Sequence, residues 1–417
     1  MIIKIYQKFL YYILITMIVL LAFSMSFGWQ IGRDIINNMF YIWILTLNFR
    51  YIYYFIKNNK IVILLLLFFI WISFSSIVSY PDYESYKMFI KYFLLPIIII
   101  ITSIKKEHIE YLINAFLIGM FINVLISYCM YFELIGDRMF GFVLHGNNTN
   151  PIPFLSTYIQ YSVFLSFSIF LTVLKLFKSK NIILKLFLVF LVFLLIVNLF
   201  IISGRTGQFT FLMTAICLVI IYFKKNIKYI IYSLISLTII CMLAFNLSSN
   251  LNNRLMQGFE DISYVVKDKN FDTSWGARLS SYMIIPNIIK DERFNLFYGM
   301  GYCKLNNIIM DIQLKEYGKN SIFTTTFGYL HNTYISIFAG TGFIGLLIFI
   351  IFWGYLFFIK IEDQYFNYIR YSNMFVITFQ GISNELFYQH EIMLLSAVFI
   401  SIIIYVTTNN EKEKINE

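Results

Sequence analysis

The sequence predicts an all-α integral membrane protein of about twelve transmembrane helices, and two observations carry that prediction. Hydrophobic residues make up 59% of the 417 residues and charged residues only 13%, with a mean hydropathy of +0.74. That balance lies outside the range of soluble globular chains. The apolar residues are also gathered into runs long enough to cross a bilayer, which takes about 20 residues of helix. Such runs occupy 9–27, 36–56, 61–79, 88–104, 111–132, 154–176, 182–202, 207–223, 228–247, 342–359, 369–384 and 391–407. Arg50, Lys91 and Asn384 lie in or beside the second, fourth and eleventh. No Pro/Gly/Ser-rich linker and no internal repeat divides the chain, so residues 1–417 read as a single polytopic domain.

The basic residues orient this set of helices. Lys and Arg near helix ends remain cytoplasmic. With both termini inside, one face collects eighteen of them, among them Lys57, Lys105, Lys178, Lys224, Lys225 and Lys360. The short loops of the other face hold five: Arg33, Lys87, Lys91, Arg138 and Arg205. The expected topology is N-in and C-in, with segment 248–330 outside, in the periplasm of a bacterial inner membrane. The net charge of +10 is therefore mostly this cytoplasmic fringe, and no nucleic-acid-binding module accompanies it. Lys4 and Lys8 precede an apolar run with no small-residue cleavage site, which reads as an uncleaved first helix. Cys129, Cys217, Cys241 and Cys303 are scattered and support neither a disulfide framework nor a cysteine metal site.

Three outer segments depart from short connections. Segment 133–153 is rich in Gly, Asn and Pro and reads as an irregular, ordered excursion. Ser203-Gly204-Arg205-Thr206-Gly207 reads as a tight turn between two apolar helices. Segment 248–330 spans 83 residues, too long for a plain connector. It interleaves nine basic and eight acidic residues with Trp275, Tyr282, Phe294 and Tyr298, so it predicts short helices across the outer mouth of the bundle. Asp272 or Ser274 is placed to cap a helix starting near Trp275, Pro286 to kink or end it, and Gly299-Met300-Gly301 to turn.

The outer face limits the available chemistry. It has no phosphate-binding glycine loop, no serine nucleophile elbow and no close carboxylate pair to hold a divalent cation. His145, His331 and His390 lack the spacing of a zinc site. Arginines and a histidine remain. Arg205 lies at or just below the outer interface, where a guanidinium faces a cavity or an anion, or else snorkels to lipid phosphates. The flanking Gly204 and Gly207 would let backbone and ligand approach. Arg278 is either a second forked donor for phosphate or one surface arginine among nine basic residues, and Arg254 and Arg293 are candidates on the same grounds. His331 opens a re-entry segment, His331-Asn332 followed by Gly340, Gly342 and Gly345, whose glycines permit close packing or a break. With an ordinary pKa of about 6.5 it suits proton transfer at neutral pH, or it is an interfacial histidine bonded to backbone.

His331-Asn332, nine residues, Gly342-x-x-Gly345 resembles the His-Asn and Gly-x-x-Gly motif of the bacterial O-antigen ligase and polymerase superfamily. The Ser203–Gly207 turn is similar to the family's G-R-T-G turn. Arg278, ahead of Ile289-Lys290-Asp291-Glu292 and Tyr298-Gly299-Met300-Gly301, is similar to its loop arginine, although Phe294 and its neighbours replace a usual Pro-Leu. The resemblance implies a metal-independent glycosyltransferase of the GT-C type, with no cofactor. Its donor would be a glycan on undecaprenyl pyrophosphate and its acceptor lipid A–core, or another glycan chain. It further implies that Arg205 and Arg278 clamp the pyrophosphate and that His331 acts as general base, with Asn332, Arg138 and Arg254 in support. One large loop before the motif favours a ligase over a polymerase. A protein O-oligosaccharyltransferase and, from another class, a lipid-linked sugar transporter are the alternatives. A transporter would be expected to carry charge deep in several spans, and these spans are nearly charge-free.

Overall fold

The structure is a computed structural model that describes residues 2–78, 84–136, 138–139, 142–247, 249–268, 271, 273–317 and 330–416. Side chains are described except at 2–4, 84–85, 237, 240–241, 243–247, 249–255, 268, 274, 317 and 409–416. It is an all-α bundle with one small hairpin, Arg138–Met139 against Phe142–Val143. The first half holds α1 (Ile2–Ser24), α2 (Trp29–Leu45), α3 (Ile52–Asn58), α4 (Lys60–Val78), α5 (Glu84–Phe89), α6 (Leu95–Ser103) and α7 (Lys106–Tyr131). Then come α8 (Tyr158–Lys178), α9 (Ile182–Ile201), α10 (Arg205–Tyr222) and α11 (Ile227–Leu247). The helices α12 (Ser249–Asp268), α13 (Ser274–Met283), α14 (Ile285–Lys290) and α15 (Leu305–Tyr317) follow, and α16 (Thr333–Phe358), α17 (Gln364–Ser383) and α18 (His390–Asn416) close the chain.

Nine helices among the described residues are long and apolar enough to cross a membrane. Their outward faces are apolar as well: Ile183 is 74% and Phe193 62% exposed on α9, a surface suited to lipid and not to water. Connections of two to five residues force successive helices to run antiparallel, as between α8 and α9, α9 and α10, and α16 and α17. Chain direction therefore alternates, and two ends of the bundle are defined. One end gathers the α8–α9, α10–α11 and α16–α17 connections with their lysines. The other gathers the α9–α10 and α17–α18 connections and the helices α12–α15.

The expected span 36–56 is corrected. Helix α2 stops at Leu45, Leu47 takes a left-handed φ of 59°, and a 3-10 turn at Asn48–Tyr51 leads into α3. The stop is fixed from outside, because Trp43 Nε1 donates to Thr102 Oγ1 (2.9 Å) and Asn48 Nδ2 to Ser103 Oγ (3.2 Å) on α6. The span around 88–104 is one continuous rod whose Ile90–Leu94 stretch widens into a π-helix just before Pro96. That widening fits a proline, which cannot donate to the carbonyl a turn below.

Short helices do occupy the 248–330 segment. The helix near Trp275 starts at Ser274, but its cap is Thr273, whose hydroxyl accepts the Gly276 N–H (3.0 Å). Asp272 lies outside the described residues. The helix ends at Met283, and α14 restarts with Pro286 in its first turn, where a missing N–H costs nothing. These helices bury apolar cores of their own, one from Ile284, Ile288, Leu305 and Ile309 with Ile335 and Ala339 of α16, the other from Val265, Phe271 and Ala277.

Helix α16 is broken. Gly342 has φ 69° and ψ −170°, so a half-helix from Thr333 stops there and a second runs on to Phe358. The break exposes backbone groups in an apolar interior, where each must find a partner. Segment 296–301 supplies them. Met300 and Gly301 donate to the Ala339 and Gly340 carbonyls (2.8 and 3.0 Å), while Phe343 donates to Leu296 O (2.8 Å). Trp71 Nε1 reaches Thr341 O (3.0 Å), and Ser75 Oγ reaches Gly340 O (2.7 Å). A Cβ on Gly299 would sit 2.5 Å from the Gly340 carbonyl carbon, and one on Gly342 2.4 Å from that of Phe297. Gly342 of the re-entry segment thus serves a backbone-on-backbone crossing, while Gly340 and Gly345 make room for Tyr302 and for the Thr341 and Trp71 side chains.

Candidate active site

Asn332 is the N-cap of α16: its Oδ1 accepts the Tyr334 and Ile335 N–H groups, both at 2.9 Å. Its Nδ2 donates to Tyr282 Oη (2.7 Å) on α13 and to Ile382 O (3.0 Å) on α17. One side chain therefore fixes the start of α16 against two other helices. His331 precedes this cap, with its own N–H donated to Ser281 Oγ (2.9 Å). The imidazole is 7% exposed. Burial and, second to it, the nearby Arg278 guanidinium lower its pKa to about 4, against an opposing effect of the Asn384 side chain on the ring. At neutral pH His331 is uncharged and able to accept a proton.

Arg278 crosses from α13 to two other elements. Its Nε donates to Ser383 O (3.1 Å), a carbonyl at the C-terminus of α17, and its Nη2 to Thr206 Oγ1 (3.3 Å) in the first turn of α10. Thr206 Oγ1 also accepts from Asn384 Nδ2 (3.2 Å), and Asn384 O accepts from Thr333 Oγ1 (2.9 Å). His331, Arg278, Thr206, Asn384 and Thr333 thus form one connected group drawn from four helices. Glu385 extends it inward, fully buried and accepting from Tyr302 Oη (3.2 Å). Burial holds its carboxyl well above the usual carboxylate range.

Arg205 adjoins the group through Thr206, its chain neighbour. Its guanidinium turns toward α12, with Nη1 3.6 Å from Asp261 Oδ2 and Nη2 3.4 Å from Gln257 Oε1. The expected Ser203–Gly207 turn is shorter than its sequence suggests, since Arg205 already begins α10. Gly204 and Gly207 do permit a close approach, but of α8: a Cβ on either would lie within 2.4 Å of Ser162. Gly207 N donates to Ser162 Oγ (3.1 Å), and Ser166 Oγ donates to Gly207 O (2.7 Å).

The other sequence candidates stand apart. Arg138 is exposed on the hairpin, paired in register with Val143. Arg254 lies on α12, and its side chain is outside the described residues. Arg293 is held between Asp291 (2.8 Å) and Asp311 (3.0 Å), a tie within the α14–α15 region. His145 is exposed, and His390 stacks on Trp29 with centroids 5.0 Å apart. Among the described residues, no three His, Cys, Asp or Glu side chains gather as metal ligands. Sequence reasoning missed Thr206 as a site residue, and Ser383 and Asn384. The signal for the latter pair was Ser383-Asn384-Glu385, a polar triplet closing an otherwise apolar run.

No curated protein matches the chain. The family model described as O-antigen ligase (Wzy_C) matches residues 190–350. That stretch contains Arg205 and Thr206, α12 to α15, Arg278, His331-Asn332 and the Gly342 break. Over residues 190–350 this multi-pass membrane protein is therefore similar to the O-antigen ligase family.

Proposed function

We propose that the protein is an O-antigen ligase. It transfers a glycan from undecaprenyl pyrophosphate to lipid A–core at the end of the bundle where Arg205, Arg278 and His331 lie. In this reading the lysine-rich end is cytoplasmic, both termini are inside, and α2, α11 and α17 complete twelve crossings of a bacterial inner membrane. The chain is then one polytopic domain, with 248–330 as a periplasmic insertion between the ninth and tenth crossings.

The acceptor hydroxyl attacks the anomeric carbon as its bond to the pyrophosphate oxygen breaks, which inverts the configuration. The hydroxyl proton passes to His331, and the leaving pyrophosphate keeps the electron pair. Arg205 and Arg278 stabilise that charge in place of a divalent cation. The observation that carries the reading is geometric: a buried imidazole, His331, shares one connected group with Arg278, Thr206 and Asn384, and Arg205 adjoins that group at the same end of the bundle. An anion bound at Arg278 offsets the positive charge that depresses His331, so donor binding strengthens the base. Asp261 competes with the donor for Arg205.

Complementation separates ligase from polymerase. Two hosts with a matched O-antigen cluster are used, one lacking its ligase and one its polymerase, each given the wild type or H331A. The proposal expects the wild type alone to restore a long-chain ladder on lipid A–core, and only in the ligase-null host. Restoration in the polymerase-null host alone would make the protein a polymerase. Failure in both, with expression confirmed, would remove both readings and leave protein glycosylation or transport.

A further inference from the structure

A cavity of about 730 Å³ opens at the opposite end of the same helices, between α8, α9, α10 and α17. Its volume is that of a site for a discrete ligand. Its inner wall is apolar, with Phe170, Leu174, Ile196, Phe211, Ala215 and Leu218. Polar side chains gather at its mouth, where Lys178 lies with Nζ 4.0 Å from the centroid of the Tyr365 ring, and Ser372 of α17 adds a hydroxyl further along. Beside the mouth, sharing Tyr222, Phe223, Gln364 and Tyr368 with it, is a second cavity of about 340 Å³ that includes Lys224, Lys225, Asn226 and Asn367. Lys178 is committed to Glu110 of α7, whereas Lys224 and Lys225 are exposed and make no ion pair among the described residues.

We propose that the joined cavities bind one anionic phospholipid, with an acyl chain between α8, α9, α10 and α17 and its phosphate at Lys224 and Lys225. The arrangement demands an amphiphile with a long apolar part and an anionic head, and a basic pocket between spans at the membrane surface selects such lipids. The polyprenyl carrier has the same chemistry but belongs elsewhere. Its pyrophosphate is proposed to lie at Arg205 and Arg278, and α10, 18 residues long, separates Arg205 from Tyr222 by about 25 Å of helix. The inference is otherwise independent of the transfer reaction.

The test is native mass spectrometry of the delipidated full-length protein titrated with phosphatidylglycerol, phosphatidylcholine of the same chains, or undecaprenyl phosphate. Phosphatidylglycerol is expected to bind on the order of tenfold more tightly than phosphatidylcholine. Lys224→Gln/Lys225→Gln, a surface change, should erase that preference, and Ala215→Phe should weaken both phospholipids by filling the apolar wall. H331A should bind as the wild type does. Equal binding of the two phospholipids, or an unaltered preference in the double lysine variant, would overturn the proposal. So would undecaprenyl phosphate displacing phosphatidylglycerol at equal concentration, which would give the cavity to the carrier.

Discussion

The two ends of the bundle use arginine in opposite ways. At the lysine-rich end Arg370 is 2% exposed, with Nη1 donating to the Leu356 and Ile359 carbonyls (3.2 and 2.6 Å) and Nη2 to Asn367 Oδ1 (2.6 Å). Those carbonyls are the ones a helix leaves unpaired at its C-terminus, so this guanidinium closes the end of α16. At the other end Arg278 also meets a helix C-terminus, at Ser383 O, but it reaches on to Thr206 and acts on the charge of His331. The more buried arginine is the structural one. What separates the two is the neighbour: Arg370 closes carbonyl oxygens and covers the Tyr371 ring, 4.2 Å from its centroid, whereas Arg278 lies beside the buried imidazole of His331.

The sharpest way to break this contrast is to truncate both. Arg278→Ala should lower kcat by about 10²–10³-fold, the usual consequence of removing one stabilising donor, with little change in the melting midpoint. Arg278→Lys should not restore activity, because an ammonium does not reproduce the fork that spans Ser383 O and Thr206. Arg370→Met should do the reverse. Transfer per folded molecule should be unchanged, while stability falls by about 2–3 kcal/mol as charge-assisted bonds are lost. If Arg370→Met lost activity without losing stability, the division between the ends would fail.

A pH profile sharpens the same point. In the proposed reaction the base is the neutral ring, so the acid limb of kcat/KM, which reports the free enzyme, should fall near pH 4. The limb of kcat should lie higher, because bound pyrophosphate offsets Arg278. Arg278→Ala should shift the free-enzyme limb upward as well. The same depression bears on stability. A folded pKa of about 4 below an unfolded value near 6.5 contributes stability above pH 6.5, and that stability is lost as pH falls toward 4. Thermal melts between pH 4 and 7 check the direction.

Glycines give the smallest effects. Gly342→Ala forces a left-handed φ on an L-residue and drives Cβ into the Phe297 backbone, so it should cost about 1–3 kcal/mol. Gly354, in the second half of the same helix, has nothing within 4 Å of a Cβ. There alanine should stabilise by up to about 1 kcal/mol. Melting of the two variants in one detergent tests whether the break at Gly342 is a required crossing.

Much of the fold was legible because spanning a bilayer demands long apolar runs, and among the described residues nine of them reappear as helices long and apolar enough to cross. The stop at Leu45 was not legible, because it is fixed by Thr102 and Ser103, more than fifty residues away in sequence. The same reason hid half of the candidate site. His331, Asn332, Arg205 and Arg278 stood out by type and position, whereas Thr206 and Asn384 are small polar residues that gain meaning only when α10 and α17 meet. Gly204 and Gly207 were legible as close-approach positions, but the approaching group is Ser162 on α8.

The most direct test of the central claim is a transfer assay with purified protein in excess chelator, supplied with glycan-bearing undecaprenyl pyrophosphate and lipid A–core. The account predicts that glycan-capped lipid A–core forms without added divalent metal and that H331A slows its formation by about 10²–10⁴-fold at pH 7. Transfer at near-wild-type rate by H331A would contradict the base role, and transfer restored only by a divalent cation would contradict charge stabilisation by Arg205 and Arg278.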